Sequence, residues 1–144
     1  MGARRGARRV ALQVLYALDL NPDQPPAAAL QAVLAEHDGP ADPEYARTLA
    51  LGAWAERDDL DARIRSASRR WKIERMDRVD RSLLRLATYE LSVSDDVPVP
   101  VVLDEAVELA REFGSEDSPR FVNGLLDRIA RDLRPRESRS RRTP

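Results

Sequence analysis

The stretch from Val101 to Asp127, VVLDEAVELAREFGSEDSPRFVNGLLD, constrains the fold more than any other part of the chain. Val102, Ala106, Leu109, Ala110 and Phe113 recur at spacings of three and four, while Asp104, Glu105, Glu108, Arg111 and Glu112 fill the other faces. That is the pattern of an amphipathic helix. Gly114 is expected to end it by taking the left-handed conformation just past the last turn. Ser118-Pro119 then opens a second helix, with Ser118 as the cap and Pro119 at the first helical position, where no N–H is needed. Val122, Leu125, Leu126, Ile129 and Leu133 continue this helix on one buried face.

Phe121, Asn123 and Gly124 break local rules early in the second helix. Asn and Gly are poor helix formers, Gly by about 1 kcal/mol relative to Ala. Two readings stand side by side. In one, Gly124 lets another helix approach closely and Asn123 satisfies a neighbouring backbone group. In the other, Phe121, Asn123 and the Glu116-Asp117 turn form an exposed recognition edge.

The remaining chain repeats the helical period. A first helix is expected from about Ala3 to Leu20, with Val10, Ala11, Val14, Leu15 and Leu18 on one side. Arg5, Arg9, Leu12, Gln13 and Tyr16 gather on another, combining cations for phosphate, an aromatic ring for stacking and an amide for hydrogen bonding. A solvated basic helix start with Tyr16 half buried would show the same residues. Arginines at a helix N-terminus oppose the macrodipole, so local stability does not explain them. After Asn21-Pro22-Asp23 come a short helix near Pro26–Glu36, a loop over His37–Pro43, and a long helix expected from about Glu44 to Ser68. The Arg69-Arg70-Trp71-Lys72 connector is basic and aromatic; Trp71 could stack on a base, but a large indole between helices is expected in the core. A further helix, about Glu74 to Leu91, carries Met76, Val79, Leu83, Leu86 and Ala87 on one stripe. Asp80 and Glu90 fall inside that apolar sector. Each needs a partner, because unpaired burial of charge is costly: an arginine of the chain itself, or a basic protein partner. No strand-like alternation competes, so the fold class is all-α, one domain of six to seven helices over residues 1–133. The tail from Arg134 to Pro144 has no apolar content and is expected to be disordered.

Charge is segregated. Residues 1–9 carry a net +4, residues 134–144 another +4, and residues 10–133 a net −9. Basic ends on an acidic body suggest an anionic partner at the ends. There is no cysteine, which excludes disulfides and thiolate metal sites and fits a cytoplasmic protein. No apolar run approaches the roughly 18 residues of a membrane span. The single histidine, His37, sits beside Asp38-Gly39-Pro40 and has no companion ligand. The glycines form no phosphate-cradling loop. Catalytic residues, metal ligands and cofactors are therefore not expected. A binding module is.

Three stretches together resemble one family: ARRVALQVLYALD at the start, VDRSLLRLATYEL, and the long run from Val101 with its preceding VPVP. The combination is similar to NusB, the bacterial transcription antitermination factors, from about Ala7 to Leu133. The resemblance implies two packed helical sub-bundles. It also implies binding of the boxA RNA element of ribosomal RNA leader transcripts together with NusE, a ribosomal small-subunit protein, in an RNA polymerase antitermination complex. It places RNA at Arg4, Arg5, Arg8, Gln13 and Tyr16 of the first helix and at Asp117, Phe121 and Asn123 of the later turn. NusE falls on the segment around Asp80. Arg9 departs from the family, where an acidic residue can occur. Relatives include homodimers, and a dimer would cover the arginine face. The alternatives to antitermination are a structural adaptor, or an RNA-modifying protein of the methyltransferase type with a NusB-like front. The second would need a methyl-donor domain beyond Pro144.

Overall fold

The computed structural model describes residues 2–137. In chain order these form α1 (Gly2–Leu20), α2 (Pro26–Glu36), α3 (Pro43–Ala55), α4 (Arg57–Ala67), a single 3-10 turn at Ile73–Arg75, α5 (Arg78–Val93), α6 (Val99–Phe113) and α7 (Ser118–Leu133). No strand occurs among the described residues. None of these helices is long and apolar enough to cross a membrane.

The all-α expectation holds, and α5 explains the arrangement. Every residue from 82 to 91 is buried, so this helix has no solvent face over its central turns. It packs against α1 and α3 on one side and against α4, α6 and α7 on the other. The first group, α1–α3, and the second, α4–α7, are the two sub-bundles. Their apolar residues form a continuous core running from Ala7 and Val10 through Leu83 and Leu84 to Leu126 and Ile129.

Four boundaries differ from the sequence expectation, each for a local reason. The long helix expected over 44–68 is two helices that part at Glu56 (φ −103°, ψ 19°). Asp58 and Asp59 fall in the first turn of α4, where negative charge suits exposed amides. Arg57 turns back over the Trp54 ring, 4.1 Å from its centroid, and donates to the Trp54 carbonyl at 2.7 Å. The helix expected from Glu74 begins at Arg78, because Asp77 caps it by accepting from the Asp80 N–H at 2.9 Å.

Gly114 is extended (φ −95°, ψ −170°), not left-handed. It is needed for closeness instead, since a Cβ there would lie 2.5 Å from the Ser118 hydroxyl. Ser118 is the first residue of α7 rather than its cap, and its hydroxyl accepts from the Ser115 N–H at 2.9 Å. The chain also remains structured past Leu133. Arg134 donates to the carbonyls of Leu91 and Ser94, each at 3.0 Å, satisfying oxygens freed at the end of α5. Glu137 accepts from the Val99 N–H at the start of α6. The expected tail thus begins no earlier than residue 138, and residues 138–144 lie outside the described residues.

Candidate nucleic-acid interface

On α1, residues Arg4 and Arg8 share one face and Arg5 and Arg9 another, one helical turn apart in each pair. The structure gives the two faces different work. Arg8 is buried (6% exposed), with its Nε 2.9–3.0 Å from both Glu90 oxygens and its Nη2 2.8 Å from Oε2. The Tyr45 hydroxyl donates to the same carboxylate, with Ser94 Oγ 3.0 Å away. Burial, then the hydrogen bond to Glu90, raises the Tyr45 pKa. Arg4 lies at the rim of this cluster, 4.4 Å from the Tyr45 ring centroid and 3.0 Å from Asp96. The expectation that Arg8 faces RNA is therefore corrected: its cation is committed to the core. Glu90 is the carboxylate for which an arginine of the chain itself is the partner.

The other face is open. Arg5 pairs with Glu105 through Nε (3.1 Å) and Nη2 (2.8 Å). That uses one edge of the guanidinium and leaves the Nη1 donors pointing elsewhere. Arg9 pairs with Glu112 and lies 5.4 Å from the Phe113 ring. These contacts orient the two arginines and partly neutralise them. Together with Gln13 they line a depression of about 370 Å³ against the His37–Pro40 loop. A second depression, about 350 Å³, shares Arg5 and Arg9 and reaches Arg111 on α6. A third, about 780 Å³, shares Arg111 and holds Asp117 and Asn123. The two stretches singled out in the sequence, far apart in the chain, thus border adjoining depressions that share Arg5, Arg9 and Arg111 in turn and are together called the trough. Tyr16 is 37% exposed on α1. Phe121 is half-buried against the core.

Nothing in the sequence singles out Arg111, because its place opposite α1 is a tertiary fact. At Gly124 the packing explanation fails: a Cβ there meets nothing within 4 Å. Asn123 is exposed and its side chain makes no hydrogen bond among the described residues. A poor helix former thus faces solvent here with a free amide.

Asp80 lies inside the apolar sector as expected, but no arginine of the described residues pairs with it. It is 8% exposed in the first turn of α5, and its Oδ1 has no hydrogen-bond partner. Burial raises its pKa, against the Ser118 hydroxyl, which lowers it, while Asp77 adds to the rise. The folded chain therefore holds this proton more tightly than the unfolded chain does. The group favours folding below the ordinary carboxylate range, and that contribution is lost as pH rises through the raised folded value. At neutral pH the ionised carboxylate opposes folding, so Asp80→Asn should raise stability there by about 1 kcal/mol, with the gain shrinking as pH falls and the native Asp80 carboxyl takes up its proton. Thermal melts at neutral and mildly acidic pH check this; a lower Tm in the variant at neutral pH would show the carboxylate to be satisfied.

The NusB family profile matches residues 5–131. The chain belongs to the NusB family. The transcription antitermination protein NusB of Geobacter sulfurreducens is 45% identical over 135 residues, covering 92% of this chain and 97% of that protein. The protein of the same description from Symbiobacterium thermophilum is 42% identical over 140 residues, covering 92% of each. Among solved structures, T. maritima NusB superposes with a TM-score of 0.85 at 35% identity, covering 97% of this chain and 99% of that one. A crystal structure of antitermination factors NusB and NusE in complex with dsRNA gives 0.78 at 30% identity, covering 90% and 96%. The NusB fold thus carries the trough, and the described residues contain no cluster of His, Cys, Asp or Glu suited to a metal.

Proposed function

We propose that this chain is a cytoplasmic transcription antitermination factor that binds boxA RNA together with NusE and acts on RNA polymerase without catalysis of its own. The observation that carries the reading is family membership across residues 5–131, joined to relatives that share nearly their whole length with it. A NusB relative bound to NusE and dsRNA supports both partners.

In this reading RNA lies along the trough. Arg5, with Arg4 at the rim, meets phosphates. Gln13 and Asn123 hydrogen-bond bases or 2′-hydroxyls, and Tyr16 and Phe121 offer rings for stacking. Asp117, exposed at the turn, accepts from base amino groups and repels misplaced phosphates. NusE sits near the start of α5. Since Asp80 is buried, its part there is to shape the turn, while the exposed Asp77 beside it faces the partner.

Arg5→Ala should lower the slope of log affinity against log salt by about 0.7, the value of one single-strand phosphate contact. Binding isotherms of a boxA RNA at several salt concentrations measure it. An unaltered slope would take Arg5 off the RNA path.

A further inference from the structure

Trp71 is the most exposed large apolar residue among the described ones, at 60%. The sequence pattern places an indole there in the core, yet Ile73 fills that position (2% exposed). The outward setting is built. Ser68, itself buried, donates to the Trp71 carbonyl at 2.7 Å, and Arg128 donates to the Ala67 carbonyl at 3.1 Å, tying the end of α4, where the connector begins, to α7. Between the connector and α7 runs a groove of about 650 Å³, with Trp71 on one wall and Phe121 on the other.

The charge of the groove distinguishes it from the α1 stripe. All four α1 arginines are paired with carboxylates. Arg69, Arg70 and Arg120 line the groove, are exposed, and make no ion pair among the described residues. Arg120 also lines the neighbouring depression that holds Asp117 and Asn123, so groove and trough adjoin. Unpaired cations around an exposed indole, continuous with a nucleic-acid trough, match the chemistry of unpaired nucleotides: phosphates for the arginines and a base face for the ring.

We propose that this groove binds single-stranded RNA flanking the element held in the trough, with a base stacked on Trp71 and phosphates on Arg69, Arg70 and Arg120. The proposal rests on the RNA-binding reading above but has its own readout. Trp54, the other tryptophan, is buried at 7% exposure, so a change in solvent-exposed indole emission reports Trp71.

The experiment compares a boxA RNA with the same RNA carrying about six extra unpaired nucleotides on either side. The extended RNA should bind about tenfold more tightly, the effect of one stacked base, and should quench the exposed emission. Trp71→Ala should remove the gain from length while leaving the short RNA's affinity unchanged. Arg69→Gln with Arg70→Gln, which alters only surface charge, should remove most of it as well. The same length gain in both variants would overturn the proposal. So would quenching by NusE alone with none by extended RNA, which would assign the groove to a protein. Failure of the short RNA to bind would count against the trough and not the groove. Titration with oligouridylate then decides the groove, since quenching upholds it and silence overturns it.

Discussion

Arg8→Ala is expected to lower the folding stability of the chain by about 3–5 kcal/mol, the cost of stranding a buried charge. Glu90, 2% exposed, would keep only the Tyr45 hydroxyl as a strong partner once the guanidinium is gone. The loss falls between the sub-bundles, because Arg8 belongs to α1, Tyr45 to α3 and Glu90 to α5. Removing both charges should cost far less than removing one, so Arg8→Met with Glu90→Leu should recover much of the stability. Urea denaturation of the single and double variants measures the difference. The RNA consequence separates Arg8 from Arg5: under conditions where the Arg8 variant is folded, its salt slope should equal that of the parent chain. A slope lowered as in Arg5→Ala would place Arg8 on the RNA after all.

Arg85→Ala is expected to be comparably damaging, about 3–5 kcal/mol, through a second buried cluster at the other end of α1. Arg85 pairs with Asp61 of α4 through Nε at 2.7 Å and Nη2 at 2.8 Å, and its Nη1 lies 3.3 Å from Asp19 of α1. Asp19 also receives Arg81 at 2.6 Å and Arg78 at 3.0 Å. Burial alone would raise the Asp19 pKa, but the bonds and charges of Arg81 and Arg85 outweigh it and hold the group below its usual value. Its stabilising contribution is present above the ordinary carboxylate value and is lost as pH falls through the depressed one. Loss of Arg85 shrinks that contribution, so the variant should unfold at a higher pH on acid titration as well as at lower urea. Circular dichroism in both titrations tests it; wild-type midpoints would mean that Asp61 is satisfied without Arg85.

These clusters mark where the sequence was legible and where it was not. The period of three and four gives α1, α6 and α7 because their apolar residues face one core and their charges face water. It also flags Asp80 and Glu90 as carboxylates on an apolar stripe. Arg8 carries the same signal, with Leu12 and Leu15 at the fourth and seventh positions after it, but an arginine beside three others reads as surface. Only the meeting of α1 with α5 shows that Glu90 takes it. The break at Glu56 was hidden because both halves keep an apolar thread, and Asp58-Asp59 was the only local mark. Trp71 faces solvent and Ile73 is buried in its stead, a difference that composition does not show. At the candidate interface the two stretches that the sequence marks are the α1 stripe and the Phe121–Asn123 edge, the latter from residues that serve helix formation poorly. Their joining through Arg111 depends on helix placement, which periodicity does not encode.

The trough across α1, α6 and the start of α7 is proposed to hold boxA RNA in concert with NusE. The most direct measurement is a titration of labelled boxA RNA, and of a scrambled RNA and a duplex of the same length, with this chain alone and with NusE, at two salt concentrations. Preference for boxA over both controls, tighter binding when NusE is present, and affinity that falls with salt are expected. Weak binding that ignores RNA sequence and NusE alike would contradict the proposal.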